Sequence, residues 1–111
     1  VDALARAAKK LNYEFNEGIT YTKDSLYTHI FPETVPLEEK YKERQKVWER
    51  ANVLLTEMEA AAVLVVSSIR GCRASGILAY SDGSDVQGAV DKEIQTACEA
   101  IRILIQEDRN G

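Results

Sequence analysis

The sequence predicts an α/β fold with about three strands and flanking helices. Apolar residues recur at helical spacing in several separated segments. Between them lie short β-branched or apolar runs of strand length. Helices and strands therefore alternate, the order that right-handed crossovers between parallel strands require.

Residues 2–11 are predicted helical from Leu4, Ala7, Ala8 and Leu11. Residues 13–22, aromatic and β-branched, predict a strand, with Gly18 marking a bulge or a close backbone approach. The pattern is lost from Lys23 to Leu37, which predicts a long loop. Pro32 and Pro36 push Phe31 and Val35 toward extended backbone. Tyr27 and Phe31 are odd in so polar a stretch unless they cover something. Residues 38–51 predict a helix with Tyr41, Val47, Trp48 and Ala51 on its apolar side. Its mixed charges read as a solvated face with i,i+4 pairs. Val53-Leu54-Leu55 predicts a short buried strand. Residues 58–69 predict a helix apolar on most of its circumference, as in the interior of a larger fold, ended by Gly71 in the left-handed region. Residues 73–80 predict a strand covered on both faces, and 81–88 a loop. Residues 91–106 predict the last helix, with Ile94, Ala97, Cys98, Ile101, Leu104 and Ile105 on its buried face.

At 111 residues the chain suits a single domain. Its 45% apolar and 29% charged residues are globular composition. A net charge of -4 argues against a nucleic-acid partner. The longest apolar run, residues 60–66, is too short to cross a bilayer, and the opening Val-Asp-Ala is not a signal peptide. Cys72 and Cys98 form no CxxC pair and His29 is the single histidine, so no metal site is expected. The thiols read as reduced and the location as cytoplasmic. About three strands cannot cover helices this apolar, so the chain reads as part of a larger body.

Glu57-Met58-Glu59 stands between the 53–55 run and the apolar helix. A carboxylate at the carboxyl end of a strand can accept from the two adjacent hydroxyls of a ribose, and a methionine offers a deformable surface to the sugar. The same residues could simply start a helix, where carboxylates favour the positive dipole end.

The stretch Trp48–Tyr80 resembles the carboxyl-terminal half of the uridine phosphorylase group of nucleoside phosphorylases. Trp48 stands nine residues before Glu57, Ala60 follows the Glu-Met-Glu, and Gly71-Cys72-Arg73 leads into a strand. Upstream, Thr20–Tyr27 and Pro32-Glu33-Thr34-Val35-Pro36 resemble the group's strand exit and proline turn, and the last helix also fits. The resemblance implies that residues 1–111 are the carboxyl-terminal portion of a single domain with a three-layer nucleoside phosphorylase-type fold. It implies phosphorolysis of a ribonucleoside, uridine first and purine second, to base and ribose 1-phosphate. This is pentosyl transfer of the kind used in pyrimidine salvage. Inorganic phosphate is the co-substrate and no cofactor is implied. Glu59 would hold the ribose hydroxyls, Met58 would pack on the sugar and Glu57 would support both. Leu26 and Tyr27 would lie beside the base.

The departures from that pattern carry information. His29 stands where pyrimidine-specific members read uracil with a glutamine, and a neutral imidazole cannot copy a bidentate amide. Ser81-Asp82 resembles the purine-cleaving relatives, in which the aspartate protonates the leaving base. As a catalytic acid Asp82 would need a raised pKa in an enclosed pocket. The group's phosphate site, a glycine-rich strand exit with arginines, has no counterpart. The chain alone is thus expected to be inactive, and its expected partners are the missing amino-terminal half or a companion chain, within a homo-oligomer. The alternative is a non-catalytic nucleoside-binding relative. A third reading is an interaction module docking through residues 38–51.

Overall fold

A computed structural model describes residues 1–111. The described chain holds five α-helices, one 3-10 turn and a two-stranded parallel sheet. It divides into two units, residues 18–74 and residues 1–17 with 75–111.

The first unit is built on the sheet. Strand β1 (Ile19–Thr22) pairs with β2 (Val53–Glu57) so that Thr22 stands opposite Glu57. The expected ten-residue strand shortens to four. Gly18 precedes it, and a side chain there would run into that of Leu54. The ladder then slips between Ile19 and Thr20. The glycine thus serves a close approach, with the irregularity just after it.

The segment expected as loop carries two short turns, α2 (Tyr27–Ile30) and the 3-10 turn Pro32–Thr34. Val35 is extended as its proline requires. Phe31 is bent instead (φ -127°, ψ 60°), because it closes one turn and opens the next. Tyr27 and Phe31 are exposed.

Helix α3 (Glu38–Arg50) has no buried residue. Its first turn carries the expected i,i+4 pair, Lys42 on Glu38. Trp48 stacks at a tilt on Tyr21 of β1, ring centres 4.9 Å apart. Helix α4 (Ala60–Ile69) ends at Gly71, whose φ of +67° suits the expected left-handed terminator. Val63, Val65, Val66 and Ile69 are each more than half exposed.

In the second unit, α1 (Asp2–Lys10) packs on α5 (Val86–Asn110). Alanines make the close approach: Ala5, Ala7 and Ala8 from α1, Ala100 from α5. Ion pairs flank them, Arg6 with Glu107 (2.6 Å) and Lys10 with Glu99. The Lys10 ammonium holds the buried Glu99 carboxyl below its ordinary pKa, with Arg102 adding to it.

Three expectations need correction here. Residues 73–80 form no strand, so the sheet has two strands; a parallel strand exists only where a neighbour completes its ladder. The last helix starts five residues early, because Asp85 caps it by accepting from the Gly88 N–H at 2.9 Å. Cys98 is exposed, as are Ile94, Ile101 and Ile105. Helix α1 has taken the opposite face of α5, through Thr96, Glu99 and Ala100.

Candidate functional site

The site is assembled at the carboxyl ends of the two parallel strands. Register puts the last residue of β1, Thr22, opposite the last residue of β2, Glu57. The Thr22 hydroxyl donates to the Glu57 carboxylate. The second carboxylate oxygen accepts from the backbone N–H groups of Glu59 (2.6 Å) and Ala60 (2.5 Å). The Thr22 oxygen in turn accepts from the Ala61 N–H at 3.1 Å. Three N–H groups at the start of α4, which have no partner inside the helix, are satisfied by this one pair. Those donors, the Ala60 N–H first and the Thr22 hydroxyl second, hold the Glu57 carboxyl below its ordinary pKa.

The helix-start reading of Glu-Met-Glu holds for one of its two carboxylates. Glu57 starts the helix and locks β1 to β2 across it. Glu59, the formal first residue of the cap, leaves that work to Glu57. It is exposed, and its Oε2 accepts only from the Met58 N–H at 2.9 Å. Met58 is also exposed. The Glu57 lock thus fixes the backbone from which Met58 and Glu59 project.

Leu26, Tyr27 and His29 sit on the turn that follows β1 by three residues, so both clusters issue from carboxyl ends of neighbouring strands. Leu26 and Tyr27 are exposed, and His29 is half-buried. His29 is tied to α3, where Gln45 lies 3.2 Å from both its Nδ1 and its backbone oxygen. Burial and then the Lys23 charge push the His29 pKa down. Beneath α4 an open apolar cleft of about 400 Å³ is lined by β1, Trp48, Ala60, Ala61 and Leu64.

Asp82 belongs to the other unit. It is exposed, its Oδ1 accepts from the Ser84 N–H at 2.9 Å, and the Ser84 contacts hold its pKa down. Within this chain a turn rather than a pocket surrounds the carboxyl. No cluster of three or more His, Cys, Asp or Glu side chains is placed to hold a metal ion, and no helix is long and apolar enough to cross a membrane.

Two residues of this arrangement escaped the sequence reading. Thr22 left a faint signal, a hydroxyl residue repeated at Thr20 and Thr22 up to the strand end. Gln45 left none, since it lies within a charge run that reads as solvated surface.

The parallel strand pair thus carries an ordered Glu-Met-Glu at its carboxyl ends. Residues 1–107 match the family model described as the phosphorylase superfamily, and the chain belongs to that family. It is similar to the uridine phosphorylase of Treponema pallidum (strain Nichols), with 30% identity over 115 aligned positions. That alignment takes in 96% of this chain and 45% of the relative, so the chain spans about half the length of the protein it matches.

Proposed function

We propose that this chain supplies the ribose and base contacts of a nucleoside phosphorylase acting on a uridine-type nucleoside. The observation that carries the reading is the Thr22–Glu57 lock, which orders Met58 and Glu59 at the strand ends of a phosphorylase-superfamily chain. Glu59 accepts from the 2'- and 3'-hydroxyls of the ribose, and Met58 packs against the sugar carbons. An oxygen of inorganic phosphate forms the new bond at C1' as the bond from C1' to the base nitrogen breaks. The base leaves with the bonding pair and takes up a proton. The transition state resembles an oxocarbenium ion, so orientation and charge placement do most of the work. Phosphate binding comes from polypeptide outside this chain, within an oligomer. No cofactor takes part.

Uridine is favoured over purine nucleosides by the similarity to a uridine phosphorylase. The test is phosphorolysis of uridine and inosine, side by side, by the intact protein with any chain that copurifies. Uridine is expected to turn over, and Glu59→Gln to lose on the order of 100-fold in kcat/KM, as removal of two charge-assisted hydrogen bonds implies. Asp82→Asn should leave uridine turnover within about twofold, since no acid step depends on it. Uridine cleavage untouched by Glu59→Gln would reject the ribose clamp. Nucleoside binding without turnover would select the non-catalytic reading.

A further inference from the structure

Gln45 fixes which nitrogen of His29 carries the proton. The Gln45 Nε2 lies 3.2 Å from the His29 backbone oxygen and 3.2 Å from Nδ1. A carbonyl oxygen only accepts, so the face of the amide turned to His29 is its NH2 group. The two amide hydrogens serve the two acceptors, and Nδ1 is therefore an acceptor. A neutral imidazole that accepts at Nδ1 bears its hydrogen on Nε2. Burial and Lys23 both favour that neutral ring. Nε2 makes no hydrogen bond within this chain and is not among its buried unpaired atoms. It is a donor without an acceptor in the chain.

We propose that Gln45 is a positioning residue which presents His29 as a fixed Nε2–H donor, so that this turn selects bases that turn a carbonyl oxygen toward it over bases with an amino group at the same ring position. The proposal rests on the reading that the 26–29 turn faces the base. It deepens that reading by assigning base choice to a residue of α3 that touches no substrate. A donor facing a carbonyl gains a hydrogen bond, whereas a donor facing an amino group is left unpaired, and this asymmetry makes the selection.

Nitrogen-resolved NMR of the intact protein with labelled histidine tests the positioning directly, because the chain contains one histidine. The wild type should show the Nε2–H tautomer. At a pH high enough to keep the ring neutral beside a carboxylate, Gln45→Glu, which can only accept, should move the proton to Nδ1, and Gln45→Leu should give a mixture. In phosphorolysis at that pH, the preference for uridine over cytidine should fall about tenfold in Gln45→Glu, the value of one hydrogen bond to the base. Most of the change should appear in KM for uridine, with kcat nearly kept. An Nδ1–H tautomer in the wild type, or an unaltered base preference in Gln45→Glu, would overturn the proposal. Glu59→Gln, run in parallel, separates the two readings. If it weakens uridine binding while the Gln45 variants do nothing, the positioning role alone has failed. If both are silent, the nucleoside reading has failed with it.

Discussion

At the scale of single residues, Glu57 does more for the fold than Glu59. One carboxylate meets a hydroxyl from the adjacent strand and two N–H groups from the following helix. All three donors favour the charged form, so its folded pKa lies below the unfolded one. Between those two values the unfolded chain binds the extra proton. The stabilisation is therefore complete above the ordinary carboxylate pKa of 4.5 and is lost as pH falls through the lowered folded value. Thermal melts of the intact protein should show this acid loss in the wild type and a flatter profile in Glu57→Gln. Glu57→Gln should also melt lower at neutral pH, since a neutral amide oxygen accepts from the N–H groups of α4 more weakly than a carboxylate and the amide nitrogen cannot accept from the Thr22 hydroxyl. Thr22→Val should add little to Glu57→Gln, because both remove the same contact. Full additivity of the two would show that the lock is not one unit.

At the scale of elements, the start of α5 sets helix propensity against capping. Gly88 is a poor helix former, yet a side chain there would collide with the Asp85 carboxylate that caps the helix. Gly88→Ala should gain about 0.5–1 kcal/mol of helix propensity and lose about 1 kcal/mol of cap, for a net change near zero. Asp85→Ala alone should destabilise by about 1 kcal/mol, and adding Gly88→Ala to it should then restore most of that loss. Urea unfolding of the three variants reads this out, and simple additivity would reject the account. The same helix shows what sequence could tell. Periodicity found the Ile94–Ile101–Ile105 stripe correctly as apolar, but a stripe does not name its partner. The small residues Ala5, Ala7, Ala8 and Ala100 allowed α1 to approach the other face more closely. Order and type of five of the six predicted long elements were legible because local spacing encodes them. Residues 73–80 were not, because a strand is defined by neighbours that local spacing does not contain. The site divides likewise: Glu57-Met58-Glu59 is contiguous and was readable, whereas Thr22 and Gln45 act across 35 and 16 positions.

At the scale of the whole molecule, the chain has too little interior to account for its own order. Its fully buried apolar residues are four alanines, and no large side chain is completely enclosed. Burying a valine or isoleucine contributes about 1.5–3 kcal/mol, and ordering one residue's backbone costs about 1–2 kcal/mol. Alanines alone cannot offset that cost, while Val63, Val65, Val66 and Ile69 of α4 and Ile94, Ile101 and Ile105 of α5 stand open. The physical expectation is that these side chains are covered by further polypeptide of the same phosphorylase body. Expressed as these 111 residues only, the chain should bind a dye specific for exposed apolar surface. It should also unfold with a heat-capacity change well under the roughly 1.5 kcal/mol/K that a folded domain of this length gives. Charged substitutions sharpen the test. Val65→Glu and Val66→Glu fall on residues 58% exposed, so they should scarcely change the isolated chain. In the intact protein they should bury unpaired carboxylates, abolish assembly and remove phosphorolysis together. If the isolated chain melts sharply with the full heat-capacity change, or the intact protein tolerates both glutamates, then the open faces are true surface and the missing cover does not exist.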